Sequence, residues 1–124
     1  MNVLVDSDVL IEVARARDPH VVDSWLALGR SEYMVFCSPI SIAELWHGAR
    51  PNERKQIEAI FDTLVCIPAD AAIGRLAGDL LNVYSKSHSL DIADALIAAT
   101  AITHDASLWT RNRKHYPMKP LKFY

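Results

Sequence analysis

Asn2-Val3-Leu4-Val5-Asp6-Ser7-Asp8-Val9-Leu10-Ile11 changes its period halfway along. The residues up to Val5 form a short apolar run, as a strand buried on both faces requires. From Asp8 to Arg17 the spacing turns helical, with Val9, Leu10, Val13 and Ala14 on one face. Asp6 or Ser7 is suited to cap that helix. A buried strand that hands an acid directly to a helix is the opening unit of an α/β fold.

The rest of the chain repeats the alternation. Asp18-Pro19 ends the first helix. Residues 20–29 predict a second amphipathic helix, with Val21, Val22, Trp25, Leu26 and Leu28 as its apolar residues and Gly29 as its stop. Residues 33–37 predict a second strand, and residues 40–48 a short helix carrying Glu44. Pro51 opens a further helix through Ile57, Ile60 and Phe61. A third strand is predicted at 64–67, a long amphipathic helix at 70–85 and an Ala-rich, almost wholly apolar and hence buried helix at 92–103. Residues 108–110 and 121–124 read as the fourth and fifth strands. Strands alternating with helices imply a parallel sheet covered on both faces. Ligands of such sheets sit outside the carboxyl ends of the strands, where the strand order reverses.

With 124 residues, 51% of them hydrophobic and 23% charged, the chain has the composition of one globular domain with its own core. No apolar run is long enough for a membrane span, and the opening strand is too short for a signal peptide and lacks a basic flank. Cys37 and Cys66 make no metal pattern or disulfide framework and read as buried thiols on strands. A cytoplasmic, reduced protein is the expectation. The net charge of −2 argues against a strongly basic nucleic-acid binder. Its distribution is uneven, however. Arg111, Arg113, Lys114, Lys119 and Lys122 follow residue 110 with no acid among them, which leaves a body of −7. A basic strip beside an acidic body suits an anionic chain held near bound cations.

The informative acids stand where solvent exposure is not expected. Asp6 closes an apolar strand, and Glu44 sits in Ser41-Ile42-Ala43-Glu44-Leu45. Asp94 lies inside the most apolar helix, and Asp91, three residues earlier, shares its face. Taken singly, Asp6 and Asp91 have a simple alternative as helix caps, and Glu44 as a half-exposed partner of an arginine. Taken together, carboxylates converging at one sheet edge with no matching buried cation repel one another unless a divalent ion neutralises them. Hard oxygen donors suit Mg²⁺ or Mn²⁺. Thr110-Arg111-Asn112 follows the fourth strand and reaches the same edge. There Thr110 and Asn112 are placed to hold a water or phosphate oxygen, and Arg111 or Arg113 to hold a nucleic-acid backbone.

Four segments together resemble a PIN domain of the VapC toxin type: residues 2–11 as quoted, Ser41-Ile42-Ala43-Glu44-Leu45 with Gly48, Asp94-Ala95-Leu96-Ile97-Ala98-Ala99-Thr100-Ala101, and Leu108-Trp109-Thr110-Arg111-Asn112-Arg113-Lys114-His115-Tyr116. The resemblance implies a three-layer α/β/α fold, a single PIN domain over residues 1–124, with a central parallel sheet of four to five short strands. It also implies an Mg²⁺- or Mn²⁺-dependent endoribonuclease, a VapB-like antitoxin partner and a homodimer. By position, Asp6, Glu44 and Asp94 match the family's acidic triad and its metal ligands, and Asp91 is an extra acid. The fourth acidic position of many PIN domains falls on Asn112, which removes one carboxylate from a second metal. Asp8 stands where the family varies and is expected to support the acids. In the mechanism so implied, Asp6 and Asp94 bind metal directly, Glu44 directly or through water, and the metal activates a water for attack on an RNA phosphodiester. Thr110 and Asn112 position water or phosphate, and Arg111, Arg113 and Lys114 hold the strand.

Three rivals remain open at this point. Val5-Asp6-Ser7-Asp8-Val9 also resembles the nucleophile motif of haloacid-dehalogenase-type phosphatases, although that family needs a later Lys and a separate acidic motif after a strand, and Asp91 and Asp94 here open a helix instead. A receiver-type signalling domain fits the length and Lys119-Pro120, but leaves Glu44 and Asp94 without a role. A catalytically silent PIN-like binding module keeps the fold and drops the activity.

Overall fold

The computed structural model describes residues 1–124. Its elements in chain order are β1 (Asn2–Val5), α1 (Ser7–Arg15), α2 (Pro19–Gly29), β2 (Met34–Cys37), α3 (Pro39–Gly48), α4 (Arg54–Phe61), β3 (Val65–Cys66), α5 (Ala71–His88), α6 (Ile92–Thr103), β4 (Ala106–Trp109) and β5 (Lys122–Phe123). Single 3₁₀ turns precede α4 and follow β4, at Pro51–Glu53 and Arg113–His115. No helix is long and apolar enough to cross a membrane.

Local chemistry accounts for the helix boundaries. Asp6, Asp18, Ser38, Asp70 and Asp91 stand at the N-caps of α1, α2, α3, α5 and α6, and each side chain accepts a backbone N–H of the first turn. Pro19 and Pro39 occupy the first position of α2 and α3, where a missing N–H costs no intrahelical bond. α1 and α5 stop at left-handed residues, Ala16 and Ser89.

The five strands form one sheet in the order β3-β2-β1-β4-β5, every pairing parallel. β1 is central. The chain builds outward from it through β2 to β3, then crosses back through α5 and α6 to lay β4 on the other side of β1. The strand order thus reverses between β1 and β4, and their carboxyl ends open the crevice in which such folds bind ligands. Register sets Val5 opposite Trp109, so the next residues, Asp6 and Thr110, emerge side by side.

Alternation along β1 sends side chains to two cores. Leu4 joins Leu108 and the buried faces of α5 and α6, including Ile73, Ala77, Ile97 and Ala98. Val3 and Val5 join Val9 and Leu10 of α1, Leu28 of α2, Leu45 of α3 and Ile57 of α4. The result is three layers, α5 and α6 on one face of the sheet and α1 to α4 on the other.

Two expectations about burial fail, for Ile92 and Cys66. Leu26 is 51% exposed and Ile92 67% exposed, although both lie in apolar stretches of helix. α2 packs mainly through Leu28, and Ile92 heads α6 where that helix leaves the sheet. Cys66 is exposed as well, because β3 is the sheet edge and nothing covers its outer side.

Candidate active site

At the crevice, Asp6 is buried and fully supplied with donors. Its Oδ1 accepts the Ser7 N–H at 2.7 Å, which caps α1. Its Oδ2 accepts the Thr110 hydroxyl at 2.8 Å and the Tyr116 hydroxyl at 2.9 Å. The cap and the buried acid are therefore one residue doing both jobs, where the sequence offered them as alternatives. No Lys or Arg pairs with Asp6, Glu44 or Asp94.

Asp94 lies in the first turn of α6, facing Asp6 across Tyr116, whose hydroxyl is 3.2 Å from Asp94 Oδ1. Burial and the negative charges of Asp91 and Asp6 push the Asp94 carboxyl up to about 6. His115 Nδ1 stands 3.6 Å from Asp94 Oδ2 and also meets the Asn112 side-chain nitrogen at 3.2 Å. Asp91 caps the helix: its Oδ1 accepts the Asp94 backbone N–H at 2.8 Å, while its charge stays close enough to raise Asp94.

Glu44 is joined to the site by serines. Ser7 Oγ donates to Glu44 Oε1 at 3.0 Å and lies 2.9 Å from Ser41 Oγ. Ser7 and Ser41 are buried while Glu44 reaches out of α3 into the exposed mouth. Glu44 makes no ion pair with an arginine, the alternative that its sequence setting left open.

Asp8 ties the first helix to the end of β4. Its Oδ2 accepts the Arg111 backbone N–H at 3.1 Å and lies 3.5 Å from the Thr110 hydroxyl. Its Oδ1 is buried without any hydrogen-bond partner. Burial and the neighbouring Asp6 raise its carboxyl above the ordinary range.

The crevice thus gathers Asp6, Asp8, Glu44 and Asp94, all hard oxygen donors, with one buried carboxylate oxygen left unpartnered and no Lys or Arg ion pair on any of them, His115 beside Asp94 being the nearest basic side chain in an ion pair. That donor set fits a divalent cation of the Mg²⁺ type. The acids stand too far apart to form a closed shell, for no three Asp, Glu, His or Cys side chains lie at ligand spacing. Tyr116 fills the gap between Asp6 and Asp94. The N-termini of α1 and α6 both face this cluster, and their dipoles offset part of its charge.

The basic residues are less free than their sequence suggests. Arg111 Nη2 pairs with Asp18 Oδ2 at 3.2 Å, and its Nη1 lies 3.8 Å from Glu12 Oε1. Arg113 packs over the Phe123 ring and donates to the Tyr124 carbonyl at 3.2 Å. Lys114 is exposed and has no ion-pair partner. Asn112 is exposed at the rim, its backbone N–H donating to Thr110 Oγ1 at 3.1 Å.

Sequence reasoning missed Tyr116, Ser7, Ser41 and Glu12 as parts of this site. Glu12 is buried on α1 and holds Arg17 at 3.1 Å besides Arg111. Its signal was available: Glu12 stands one turn after Asp8, on the same face of the helix.

The PIN domain family profile matches residues 3–119. The chain is 39% identical over 117 residues to Ribonuclease VapC10 of Mycobacterium tuberculosis, spanning 94% of this chain and 86% of that one. It is 34% identical over 118 residues to Ribonuclease VapC19 of the same organism, spanning 94% of each. In fold it matches the crystal structure of VapBC2 from Rickettsia felis bound to a promoter DNA fragment, with a TM-score of 0.83 over 100% of this chain and 98% of that one, at 20% identity. Matched along nearly its whole length, the chain belongs to the PIN-domain family, among its VapC members.

Proposed function

We propose that the protein is the toxin of a type II toxin–antitoxin pair, an endoribonuclease that uses Mg²⁺, or Mn²⁺ in its place. The observation that carries this reading is the set of carboxylates without a Lys or Arg ion pair at the β1–β4 switch point, Asp6 and Asp94 above all. Relatives named as ribonucleases support the reaction class. The rival readings lack such support. A haloacid-dehalogenase-type phosphatase needs a separate acidic motif after a strand, whereas Asp91 and Asp94 open α6.

Asp6, Asp94 and Glu44 would hold the cation, with the unpartnered Asp8 oxygen beside them. When bound, such a cation lowers the pKa of a coordinated water and neutralises charge on a phosphoryl group. Ser7, Thr110 and Tyr116 fix Asp6 in one rotamer, so its charge is positioned before substrate arrives. Ser7 also steadies Glu44. Asn112 at the rim is suited to hold a water or a phosphate oxygen, oriented through Thr110. Lys114 meets the RNA backbone, flanked by Arg111 and Arg113, which are part-exposed yet tied to the body. Asp91 serves the site by capping the helix that presents Asp94. The chain works in the cytoplasm as a homodimer, held silent by a VapB-like antitoxin; solved complexes titled VapBC share its fold.

Asp6→Asn is the direct test. Cleavage of total RNA with Mg²⁺ should vanish in that variant while its circular dichroism stays native. Mg²⁺ should raise the melting temperature of the wild type and not that of the variant. Undiminished cleavage by Asp6→Asn would overturn the proposal.

A further inference from the structure

At the far side of the sheet from β4, Cys37 on β2 and Cys66 on β3 stand directly opposite each other in the parallel ladder. The Ile67 N–H bonds the Cys37 carbonyl at 2.9 Å, which fixes that register. Neighbouring strands lie about 4.7–4.9 Å apart. That separation is inside the window of roughly 4.4–6.8 Å that a disulfide tolerates between Cα atoms. Opposed residues of a parallel pair send their side chains to the same face, so the two thiols are neighbours. They differ in access: Cys37 is buried and Cys66 exposed. Burial and the adjoining Cys66 push the Cys37 thiol up to about 12. Two sulfurs alone do not make a zinc site, which takes three or four protein ligands.

We infer that Cys37 and Cys66 are a reversible dithiol–disulfide site, oxidised by a low-molecular-weight disulfide such as oxidised glutathione. Cys66, the accessible thiol, loses its proton to solvent and attacks one sulfur of glutathione disulfide, releasing one glutathione thiolate. Cys37 then loses its proton and attacks the Cys66 sulfur of the mixed disulfide, releasing the second glutathione. Two protein thiols are oxidised and one disulfide is reduced to two thiols. The new bond straps β3, a strand held by only two paired residues, to β2. It encloses α3 and α4 in one loop, and α3 carries Glu44. The inference rests on strand register and does not depend on the proposed reaction.

The test treats the folded wild type with oxidised glutathione and reads intact mass, peptide maps and melting temperature. The expected product has lost two hydrogens, carries no glutathione, links Cys37 to Cys66 and is reversed by dithiothreitol. Its melting temperature should rise by roughly 5–10 °C. Cys37→Ser should stop at a single glutathione on Cys66. Cys66→Ser should take up none under native conditions, since only the buried thiol remains. A wild type that keeps glutathione on Cys66, forms dimers through Cys66 or does not react would overturn the inference, whatever the variants do.

Discussion

The Tyr116 hydroxyl lies 2.9 Å from Asp6 Oδ2, joining the residue that closes the first strand to one that follows the last residues of β4. With Asp94 on its other side, this single phenol spaces two acids that would otherwise repel across a buried gap. Removing it should be felt in the protein without metal. Tyr116→Phe should lose about 1.5–3 kcal/mol of stability in EDTA, the range of a hydrogen bond to a charged group. RNA cleavage should fall by about tenfold as Asp6 loses one of its three donors, a change equivalent to about 1.4 kcal/mol. Urea melts and cleavage rates measured on the same preparation check both.

Asp94 makes the metal-free protein sensitive to pH. Its carboxyl stands at about 6 when folded, against an ordinary value of 3.8. Between those values the folded state binds more protons than the unfolded one. The contribution of Asp94 is therefore fully present at low pH and lost as pH rises through 6. In EDTA, the stability of the wild type relative to Asp94→Asn should fall by on the order of 2 kcal/mol between about pH 4 and pH 7. A flat difference across that window would refute the assignment.

Asp91 separates capping from chemistry. Asp91→Asn retains an oxygen for the Asp94 N–H and should keep both stability and most RNA cleavage. Asp91→Ala should cost about 1 kcal/mol as the cap of α6 is lost. If the Asn variant folds normally and is inactive, Asp91 belongs among the catalytic acids.

Glu12 restrains Arg111. Glu12→Ala should destabilise the fold by about 1–2 kcal/mol through the lost pairing of a buried acid. Adding Asp18→Ala, which also removes the 3.2 Å partner, should release the Arg111 guanidinium toward phosphate. The salt dependence of RNA binding, measured on a log–log plot with cleavage blocked, should steepen by about 0.7, one further contact on a single strand.

Much of this organisation is visible in the sequence because local chemistry and global fold agree. The apolar runs at residues 2–5, 33–37 and 108–110 fall on parallel strands, and the helices read from residues 20 and 40 begin one residue earlier, at Pro19 and Pro39, behind the caps Asp18 and Ser38. Asp94 stood out because a carboxylate inside an apolar helix needs a reason. Tyr116 did not, because it lies outside any helix or strand, in a stretch with no periodicity, and reaches Asp6 only through the turn at Arg113–His115. Ser7 and Ser41 look like ordinary cap and surface serines until the packing of α1 on α3 brings their hydroxyls to 2.9 Å. Cys66 was misread for a related reason: hydrophobic character does not say whether an element stands at an edge.

The central position of β1 has a consequence for synthesis. On the ribosome, the strand that leads into Asp6 emerges long before its partner β4, and the donors Thr110 and Tyr116 follow Asp6 by 104 and 110 residues. Until then the first strand has neither its second neighbour nor the groups that orient its acid, and pairing across so long a loop is slow. A nascent chain that has not yet reached Thr110 and Tyr116 therefore has no finished site, and neither has any product cut short before Tyr116.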